Sequence, residues 1–290
     1  MKNNSIGLVF AMLWASASVA TKLGLQSAEP LIIANVRFFI AAVLMLFGAH
    51  ILRKYRLPER DEWLPILIYG LLNVTVYLGL YVLAMQELSA GVGSLSVGIN
   101  PLMISILSGL WMKRAIKRSE WLGLIFGIIG VSIVVYPLLL TSYVTIKGLI
   151  LITLSLLAYS IGTVYYSSKT WRLPSLAINA WQVLLGGICL LPFTFGLSDF
   201  SHNHYDARFW YAVAWLVFVS IAAVQMWLYL LKIDTVKAAL WLYLCPTFGF
   251  VYAYFIMNEP ISLYTVVGTL LVILGLYIGQ KKGNEIGEMK

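Results

Sequence analysis

Charged residues are scarce in this chain of 290 residues: Asp, Glu, Lys and Arg together make up 11%, whereas hydrophobic residues make up 61%. The mean hydropathy is +0.87. A soluble domain of this size needs more polar surface than this to cover its core. The composition therefore excludes a soluble globular protein and indicates an all-α integral membrane protein whose partner is the lipid bilayer.

Cysteine is also rare, and motifs that carry catalytic chemistry are missing. The two cysteines, Cys189 and Cys245, lie inside apolar stretches, where a thiol behaves as a small hydrophobic group. We therefore expect no disulfide, no metal site and no cofactor. The sequence has no HExxH, CxxC, P-loop or GxSxG motif and no paired aspartates, so an enzyme is not expected.

Positive charge predominates, with a formal net charge of +8. The Lys and Arg residues fall in short clusters between apolar runs rather than on one basic face, so we expect no nucleic-acid partner. Most of them lie in alternate loops, around residues 53–60, 113–118, 169–172 and 281–290. By the positive-inside rule these loops are cytoplasmic. This predicts a multi-pass protein of the cell inner (plasma) membrane with both termini in the cytoplasm.

Ten apolar segments are long enough to span the bilayer, since a hydrocarbon core of about 30 Å requires roughly 20 helical residues. An even number of spans also puts both termini on one side. The predicted spans cover residues 5–25, 31–52, 63–86, 88–112, 120–139, 147–168, 174–196, 209–231, 235–257 and 261–280.

The two halves of the sequence resemble each other after a shift of 145 positions. Matched prolines and glycines inside apolar runs need a structural cause, and the simplest one is an internal duplication. We predict two five-helix repeats, 1–140 and 141–282, followed by a cytoplasmic tail at 283–290. Five spans per repeat make the second repeat inverted, and two inverted repeats around a central cavity are typical of secondary transporters. The matched pairs are Trp14 with Tyr159, Arg37 with Gln182, Pro101 with Pro246, Gly123 with Gly268, and Gly130 with Gly275.

Two cations lie inside predicted spans. Lys22 is in the last turn of the first span, where its ammonium can reach the interface. Arg37 is about two turns inside the second span, where a charge costs several kcal/mol unless it has a partner. Two interpretations of Arg37 stay open: a structural partner, such as a helix-end carbonyl or Glu29, or an anionic group on a substrate.

The other candidate substrate-binding residues are uncharged polar and aromatic side chains within the spans. Aromatic rings and single hydrogen-bonding groups suit small amphipathic solutes. Each residue also has a structural alternative, because Trp and Tyr concentrate at bilayer interfaces and Ser, Thr and Asn link helices. These candidates are Trp14, Ser16, Asn73, Tyr77, Tyr81, Ser96, Asn100, Tyr159, Thr163, Gln182, Gln225, Tyr229 and Trp241.

Proline and glycine residues inside the spans predict kinks and close helix contacts. Pro101 and Pro246 are expected to kink spans four and nine, either as hinges and cavity walls or simply as packing features. Four glycines predict close packing of spans five and ten, within the chain or in a homodimer. They are Gly123 and Gly127 on span five, and Gly268 and Gly275 on span ten.

Several short strings, taken in their order and spacing, resemble EamA-type members of the drug/metabolite transporter superfamily over essentially the whole chain. Each string is degenerate, so the resemblance rests on their order. The strings in the first half are Leu13-Trp14-Ala15-Ser16, Arg37 to Ala42, Asn100-Pro101-Leu102 and Gly123 to Gly130. Those in the second half are Ala158-Tyr159-Ser160, Gln182 to Gly187, Pro246, Asn258-Glu259-Pro260-Ile261 and Gly268 to Gly275.

This resemblance implies a basket of helices around a central cavity, formed by spans one to four and six to nine, with spans five and ten as a peripheral pair. Family members export or exchange amino acids, nucleosides, sugars and other metabolites. One departure concerns a Glu that the family often has near the end of span four as well as span nine. Here Arg114 occupies the position matched to Glu259, so a symmetric role for that Glu is not expected.

These patterns together predict a secondary membrane transporter, an exporter or exchanger of small polar or amphipathic metabolites such as amino acids, acting by alternating access. None of the 12 carboxylates is expected at the midplane, which favours a facilitator or exchanger over a carboxylate-coupled pump. The alternative is a lipid-handling, flippase-like membrane subunit, which predicts a lateral opening between spans. An integral membrane enzyme ranks third and requires clustered titratable residues in the folded cavity.

Overall fold

The computed structural model of the protein describes residues 2–111, 118–140 and 144–280, and in these ranges it is helical without strands. The first half contains α1 (Lys2–Gly24), α2 (Pro30–Leu46, followed by a π-helical turn, Phe47–Leu52), α3 (Arg60–Gly70, the π-helical Leu71–Val76, and Tyr77–Glu87), α4 (Ala90–Val97 and Asn100–Trp111) and α5 (Arg118–Leu140). The second half contains α6 (Ile146–Ser168), α7 (Ser175–Leu197), α8 (Ala207–Ile233), α9 (Thr235–Leu240, the 3₁₀ turn Trp241–Leu244, and Cys245–Met257) and α10 (Leu263–Gln280). A short 3₁₀ turn, Phe200–His202, lies between α7 and α8. Helix therefore occupies each predicted span.

Seven of these helices are long and apolar enough to cross a bilayer, namely α1 to α4 and α6 to α8. Shorter apolar helices lie within α5, α9 and α10, at Trp121–Pro137, Trp241–Met257 and Leu263–Gly275. The chain is therefore a multi-pass membrane protein by length and composition. A count of ten spans requires α5, α9 and α10 to cross as well, which stays a prediction.

Local sequence signals set several helix starts. Pro30 lies in the first turn of α2, where its missing N–H costs no helix bond. At the start of α3, the Glu62 carboxylate accepts a hydrogen bond from the backbone N–H of Glu59, 2.8 Å away. Ser89 and Thr145 cap α4 and α6, because each side chain accepts a hydrogen bond from the backbone three residues later. Each of these starts therefore has a local cause in the sequence.

The helices α4 and α9 are both interrupted, and a proline follows each interruption. In α4 the helix stops at Val97 and resumes with Pro101 in its first turn, and in α9 a 3₁₀ turn precedes Pro246. Proline lacks the N–H that would bond the carbonyl four residues earlier, so both interruptions have a sequence cause. The two breaks also touch, since a Cβ placed on Gly98 would lie 2.9 Å from Pro246 Cγ. Whether the breaks act as hinges stays a prediction.

The helices α5 and α10 pack closely through glycines. A Cβ placed on Gly130 would lie 2.6 Å from the carbonyl oxygen of Gly268, and one on Gly275 would lie 2.8 Å from that of Gly123. The same Cβ on Gly275 would lie 3.0 Å from the Gly127 nitrogen. This glycine surface is therefore buried inside one chain. A homodimer through α5 and α10, which stays a prediction, would have to use their outer faces.

Helix contacts between the two halves form a symmetric pattern. The helix α2 packs on α7, α4 on α9 and α5 on α10, and the members of each pair are counterparts under the 145-residue shift. In the same way, α1 packs on α8 and α9 as α6 packs on α3 and α4. Exchanging two similar halves leaves this pattern unchanged. The division into repeats 1–140 and 141–282 and their inverted relation stay predictions, and the predicted tail at 283–290 lies outside the described residues.

Candidate functional site

A small cavity lies at the centre of the bundle, and both halves contribute to its wall. Its lining comes from α1 to α4 in the first half and from α7 to α9 in the second. Its volume is about 40 Å³, which suffices for a few water molecules but not for a metabolite. The polar, aromatic and thiol side chains in the wall are Trp14, Ser18, Arg37, Phe38, Asn73, Tyr77, Tyr81, Ser94, Gln182, Ser220 and Cys245.

Arg37 carries the charge of this cavity. Its side chain is 95% removed from solvent, with 5% exposed. The Nε atom donates a hydrogen bond to Ser220 Oγ at 3.0 Å, and the guanidinium carbon lies 5.0 Å from the centre of the Phe38 ring. Ser220 Oγ in turn donates to the Leu216 carbonyl at 2.8 Å. The structural partner of Arg37 is therefore a hydroxyl on α8, and the expectation of Glu29 or a helix-end carbonyl is wrong.

An amide network links α3, α7 and α8 beside this arginine. Asn73 Nδ2 donates to Gln182 Oε1 at 3.2 Å, and Gln182 Nε2 donates to Asn179 Oδ1 at 2.9 Å. Asn179 Nδ2 then donates to the Ser220 carbonyl at 3.1 Å. Gln182 and Asn179 each accept one of these bonds and donate the next. The network therefore fixes one wall of the cavity across the two halves.

Aromatic rings form another part of the cavity wall. Tyr159 is fully buried, and its ring centre lies 5.8 Å from that of Trp14, 4.7 Å from that of Tyr77 and 5.8 Å from that of Trp227. The Tyr77 and Tyr81 rings lie 6.0 Å apart. Trp14, Tyr77 and Tyr81 face the cavity, and Tyr159 packs behind them. Such contacts hold large side chains rigidly, which gives the cavity a fixed aromatic face.

The predicted site residues divide into two groups. Six of them line the cavity and lie together as expected: Trp14, Arg37, Asn73, Tyr77, Tyr81 and Gln182. The others lie elsewhere in the bundle: Ser16, Ser96, Asn100, Tyr159, Thr163, Gln225, Tyr229 and Trp241. For this second group, contact with a substrate stays a prediction that the geometry does not favour.

Three residues of the second group are held by bonds within the bundle. Ser16 accepts a hydrogen bond from Trp215 Nε1 at 2.8 Å, on the side of α1 away from the cavity. Ser96 Oγ donates to a carbonyl of its own helix at 2.9 Å. Asn100 Oδ1 accepts from Ser160 Oγ at 3.3 Å. These groups link helices or satisfy backbone atoms, which is the structural alternative stated above.

The remaining residues of that group have other surroundings. Thr163 is buried in α6, and Gln225 Oε1 accepts a hydrogen bond from Ser175 Oγ at 3.1 Å near the start of α7. Tyr229 is 41% exposed, as expected for a residue at the bilayer interface. Trp241 packs against α1 at Gly7. These positions surround the central cavity without reaching it.

Ser220 and Cys245 line the cavity but were not among the predicted site residues. Ser220 is the polar residue of an otherwise apolar stretch of α8, and this isolated position is the feature of the sequence that could have indicated a site residue. The signal is weak because a lone Ser in such a run commonly bonds a carbonyl of its own helix, as Ser220 also does. Cys245 gives no signal beyond its position next to Pro246. Both depend on the packing of α8 and α9 against the first half.

Polar bonds join the two halves at one end of the bundle, where α3 ends and α4 begins. The Glu259 carboxylate accepts hydrogen bonds from the backbone N–H groups of Ala90 at 2.6 Å and Gly91 at 2.9 Å. Close by, Glu87 accepts a hydrogen bond from Lys147 Nζ at 2.8 Å. The hydrogen bond from Lys147 lowers the pKa of the Glu87 carboxyl below its ordinary value of 4.5. We call this set the α3–α4 latch.

Ion pairs join the halves at the opposite end, around the start of α3 and just before α7. Arg172 of the second half bonds Asp61 and lies 3.3 Å from a carboxylate oxygen of Glu59 and 3.7 Å from one of Glu62. Arg56 Nη1 lies 2.6 Å from Glu62 Oε2, and this hydrogen bond raises the pKa of Arg56. We call this set the α3–α7 latch. The bundle is therefore tied across its halves at both ends.

A wide apolar groove runs along the outside of the bundle between α1, α8 and α9. Its volume is about 740 Å³, and its wall includes Met12, Tyr211 and Trp215, with Arg208 at its rim. The groove and the central cavity share no lining residue. The helix α1 stands between them, with Ser16 on the groove side. The groove is a lateral surface rather than an entrance to the cavity in this conformation.

Comparison with known proteins gives matches over nearly the whole chain. The sequence model of the EamA-like transporter family matches residues 2–136 and 146–278, close to the two predicted repeats. The chain is similar to the protein named uncharacterized transporter YvbV of Bacillus subtilis (strain 168), with 26% identity over 93% of this chain and 89% of that protein. It is also similar to a protein named uncharacterized transporter of Archaeoglobus fulgidus, with 29% identity over 93% of this chain and 95% of that protein. These names indicate transporters rather than enzymes.

The fold is also similar to that of a protein of known crystal structure. Its TM-score is 0.72, and the match covers 96% of this chain and 97% of that protein at 18% identity. At this identity the likeness concerns the fold alone.

Proposed function

Because the chain belongs to the EamA-like transporter family and is a multi-pass membrane transporter, we propose that it exports or exchanges small polar or amphipathic metabolites, such as amino acids, by alternating access. In this proposal it works in the plasma membrane with both termini in the cytoplasm, as the distribution of Lys and Arg predicts. The observation that carries the proposal is the central cavity, whose wall is built by both halves and carries the polar side chains named above.

The size of the cavity supports a mechanism in which the halves move. A volume of about 40 Å³ holds water but no metabolite, so the conformation described here is closed around its site. A solute can enter only if helices of one half separate from those of the other at one end. Two similar halves around a shared site are the usual construction for such rocking.

The α3–α4 latch and the α3–α7 latch lie where the gates of this mechanism belong. Glu259 belongs to the second half and holds the start of α4, while Arg172 of the second half pairs with Asp61 in the first turn of α3. Opening one end requires one set of bonds to break while the other set keeps the halves together. The ion pairs of Lys147 and Arg172 involve side chains that are 72% and 51% exposed, so each pair is weak enough to break within a transport cycle.

The lining supports a facilitator or exchanger over a pump. Within the described ranges no Asp, Glu or His lines the cavity, and Arg37 is its charged residue. Arginine keeps its proton throughout the physiological range, so it does not carry protons between the two sides. The gradient of the metabolite itself then drives transport.

Counterflow in proteoliposomes tests this function. Comparing metabolites in the medium of cells with and without the protein first identifies which solutes depend on it. Liposomes that contain the purified protein and an unlabelled solute of that set should then take up the labelled solute faster than protein-free liposomes, with saturation. If no solute depends on the protein in cells and none exchanges in liposomes, the proposed function is wrong.

The groove between α1, α8 and α9 favours a second candidate, a lipid-handling, flippase-like subunit. It is lateral and apolar, and it would accommodate acyl chains. Its separation from the central cavity argues against lipid as the solute, because a lipid headgroup needs a polar path across the bilayer. A lipid-flipping assay in the same proteoliposomes decides between the two. Lipid flipping without solute exchange would favour the second candidate.

A further inference from the structure

The charge of Arg37 has no carboxylate partner in the described part of the chain. The ion pairs found there involve Arg56, Lys147 and Arg172, which lie at the ends of the bundle. The hydrogen bond from its Nε to Ser220 uses one of five N–H donors, and no other protein hydrogen bond to Arg37 is found among the described residues. A buried guanidinium with four spare donors is energetically costly. It is also a site prepared for an anion.

The counterpart of Arg37 in the second half behaves differently. Gln182, the matched residue, accepts a hydrogen bond from Asn73 and donates one to Asn179. Its polar groups are thus used within the protein, and it brings no charge to the cavity. Among the described residues that line the cavity, Arg37 is therefore the charged one, and its counterpart is neutral.

We propose that the cavity recognises the carboxylate of its solute, with Arg37 as the group that binds it. This deepens the proposed function and rests on it. A carboxylate accepts two parallel N–H bonds from a guanidinium, and such charged bonds are the strongest that a small polar solute can make. The bound pair is neutral, which lowers the cost of holding the charge inside the membrane.

The rest of the cavity wall indicates the remainder of the solute. The rings of Trp14, Tyr77 and Tyr81 and the side chains of Val97 and Val183 offer apolar contact. The solute is therefore a small organic acid or an amino acid with an apolar or aromatic body and a net charge of zero or below. An amide or amine of the same shape leaves Arg37 buried and unpaired, and a cation is repelled by it.

Matched pairs of acids and amides test the proposal. The probes are benzoate and benzamide, phenylacetate and phenylacetamide, L-phenylalanine and L-phenylalaninamide, and L-leucine and L-leucinamide. Binding to the purified protein in detergent is measured from the rise in unfolding temperature with ligand concentration. At least one acid should bind about 10- to 100-fold more tightly than its amide. Equal binding of acid and amide throughout, or no shift with any acid, overturns the proposal.

Substitutions assign the preference to Arg37. Arg37→Gln should abolish the preference for the acid, whereas Arg208→Gln, which removes an exposed arginine at the rim of the outer groove, should keep it. If Arg37→Gln does not fold, the binding of acids to Arg37→Lys is measured instead. A lysine loses its charge as the pH rises, so acid binding to Arg37→Lys should weaken at alkaline pH while wild-type binding does not. An unchanged preference in Arg37→Gln, or a pH-independent one in Arg37→Lys, refutes the role of Arg37.

Transport measurements separate this inference from the proposed function. If a solute without a carboxylate shows counterflow that Arg37→Gln does not change, the proposed transport function stands and the proposed anion site is refuted. If acids bind in a way that depends on Arg37 but no solute is exchanged, the proposed anion site stands and the proposed transport function is refuted.

Discussion

Trp14 and Tyr159, which stand 145 positions apart at matched places in the two halves, contact each other at the centre of the protein, with ring centres 5.8 Å apart. Residues related by a two-fold axis touch their own counterparts only where the axis passes between them. An axis relating the halves would therefore run beside the cavity that Trp14 lines. Of the cavity-lining residues in the described ranges, Arg37 alone is charged, so the site itself is asymmetric.

Removing an aromatic ring from the cavity should weaken transport. We expect Trp14→Ala and Tyr81→Ala to lower the apparent solute affinity in counterflow about 3- to 10-fold each, because in the proposed site each ring supplies contact area to the solute. Trp210→Ala is the matched control, since Trp210 is 50% exposed outside the cavity. Unaltered counterflow in both cavity variants would remove these residues from the site.

The glycine contact between α5 and α10 should not tolerate a methyl group. In Gly130→Ala the new Cβ would lie 2.6 Å from the Gly268 carbonyl oxygen, and this overpacking should lower the free energy of unfolding by about 1–3 kcal/mol. Gly196→Ala is the control, because nothing lies within 4 Å of its Cβ position. Both unfolding free energies can be measured by denaturant titration in detergent. Equal values for the two variants would contradict the close packing.

The Glu259 carboxylate should stabilise the start of α4. Glu259→Ala removes the acceptor of the Ala90 and Gly91 N–H bonds, and we expect it to lower the free energy of unfolding by about 1–3 kcal/mol. Glu29→Ala is a suitable control, since Glu29 precedes α2 without a side-chain cap bond. Hydrogen exchange at the start of α4 should rise in Glu259→Ala alone. Unchanged exchange there would mean that the carboxylate does not hold the helix.

The contribution of Glu87 should depend on pH. Its pKa is lowered below 4.5 by the Lys147 hydrogen bond, so its stabilising effect is full above pH 4.5 and is lost as the pH falls through the lowered value. Wild type should therefore unfold at a higher temperature than Glu87→Gln at neutral pH, with the difference shrinking in acid. A difference that stays constant or grows on acidification would contradict the sign of this pKa shift.

The helices were largely predictable from the sequence. The segment predicted at 147–168 is the helix Ile146–Ser168, and the one predicted at 31–52 is Pro30–Leu52. Long apolar runs bounded by caps and turn residues leave little choice of helix ends. The interruption of α4 was less visible, because a proline predicts a kink without predicting how the chain relaxes around it.

The site was predictable where helical periodicity held. Tyr77 and Tyr81 are one turn apart and both line the cavity, as their spacing predicts. Ser16 lies two residues from Trp14, a rotation of about 200° around the helix, so it faces the outer groove instead. In a regular helix Ser96 and Asn100 would share a face. The helix is interrupted after Val97, so this spacing no longer places them on the same face.

The contribution of the second half could be predicted only in part from the repeat, which gave Gln182 but misplaced Tyr159. Tyr159 matches Trp14 in sequence, yet it packs behind the cavity wall. Which of two matched residues faces the cavity depends on how the two halves pack together. The sequence of one half alone does not determine that packing. Ser220, which holds Arg37, is likewise brought to the site by the packing of α8 against α2.

The most direct measurement uses the thiol of Cys245, which lines the closed cavity and is fully buried. In Cys189→Ser it is the single remaining cysteine, since the sequence has two. Membrane-impermeant thiol reagents are applied to one side or the other of oriented membranes, with and without a transported solute, and Cys189→Ser/Cys245→Ser measures the background. Alternating access predicts labelling from each side at rates that the solute changes in opposite directions. Labelling from neither side, or from one side alone at a rate that the solute leaves unchanged, would contradict it.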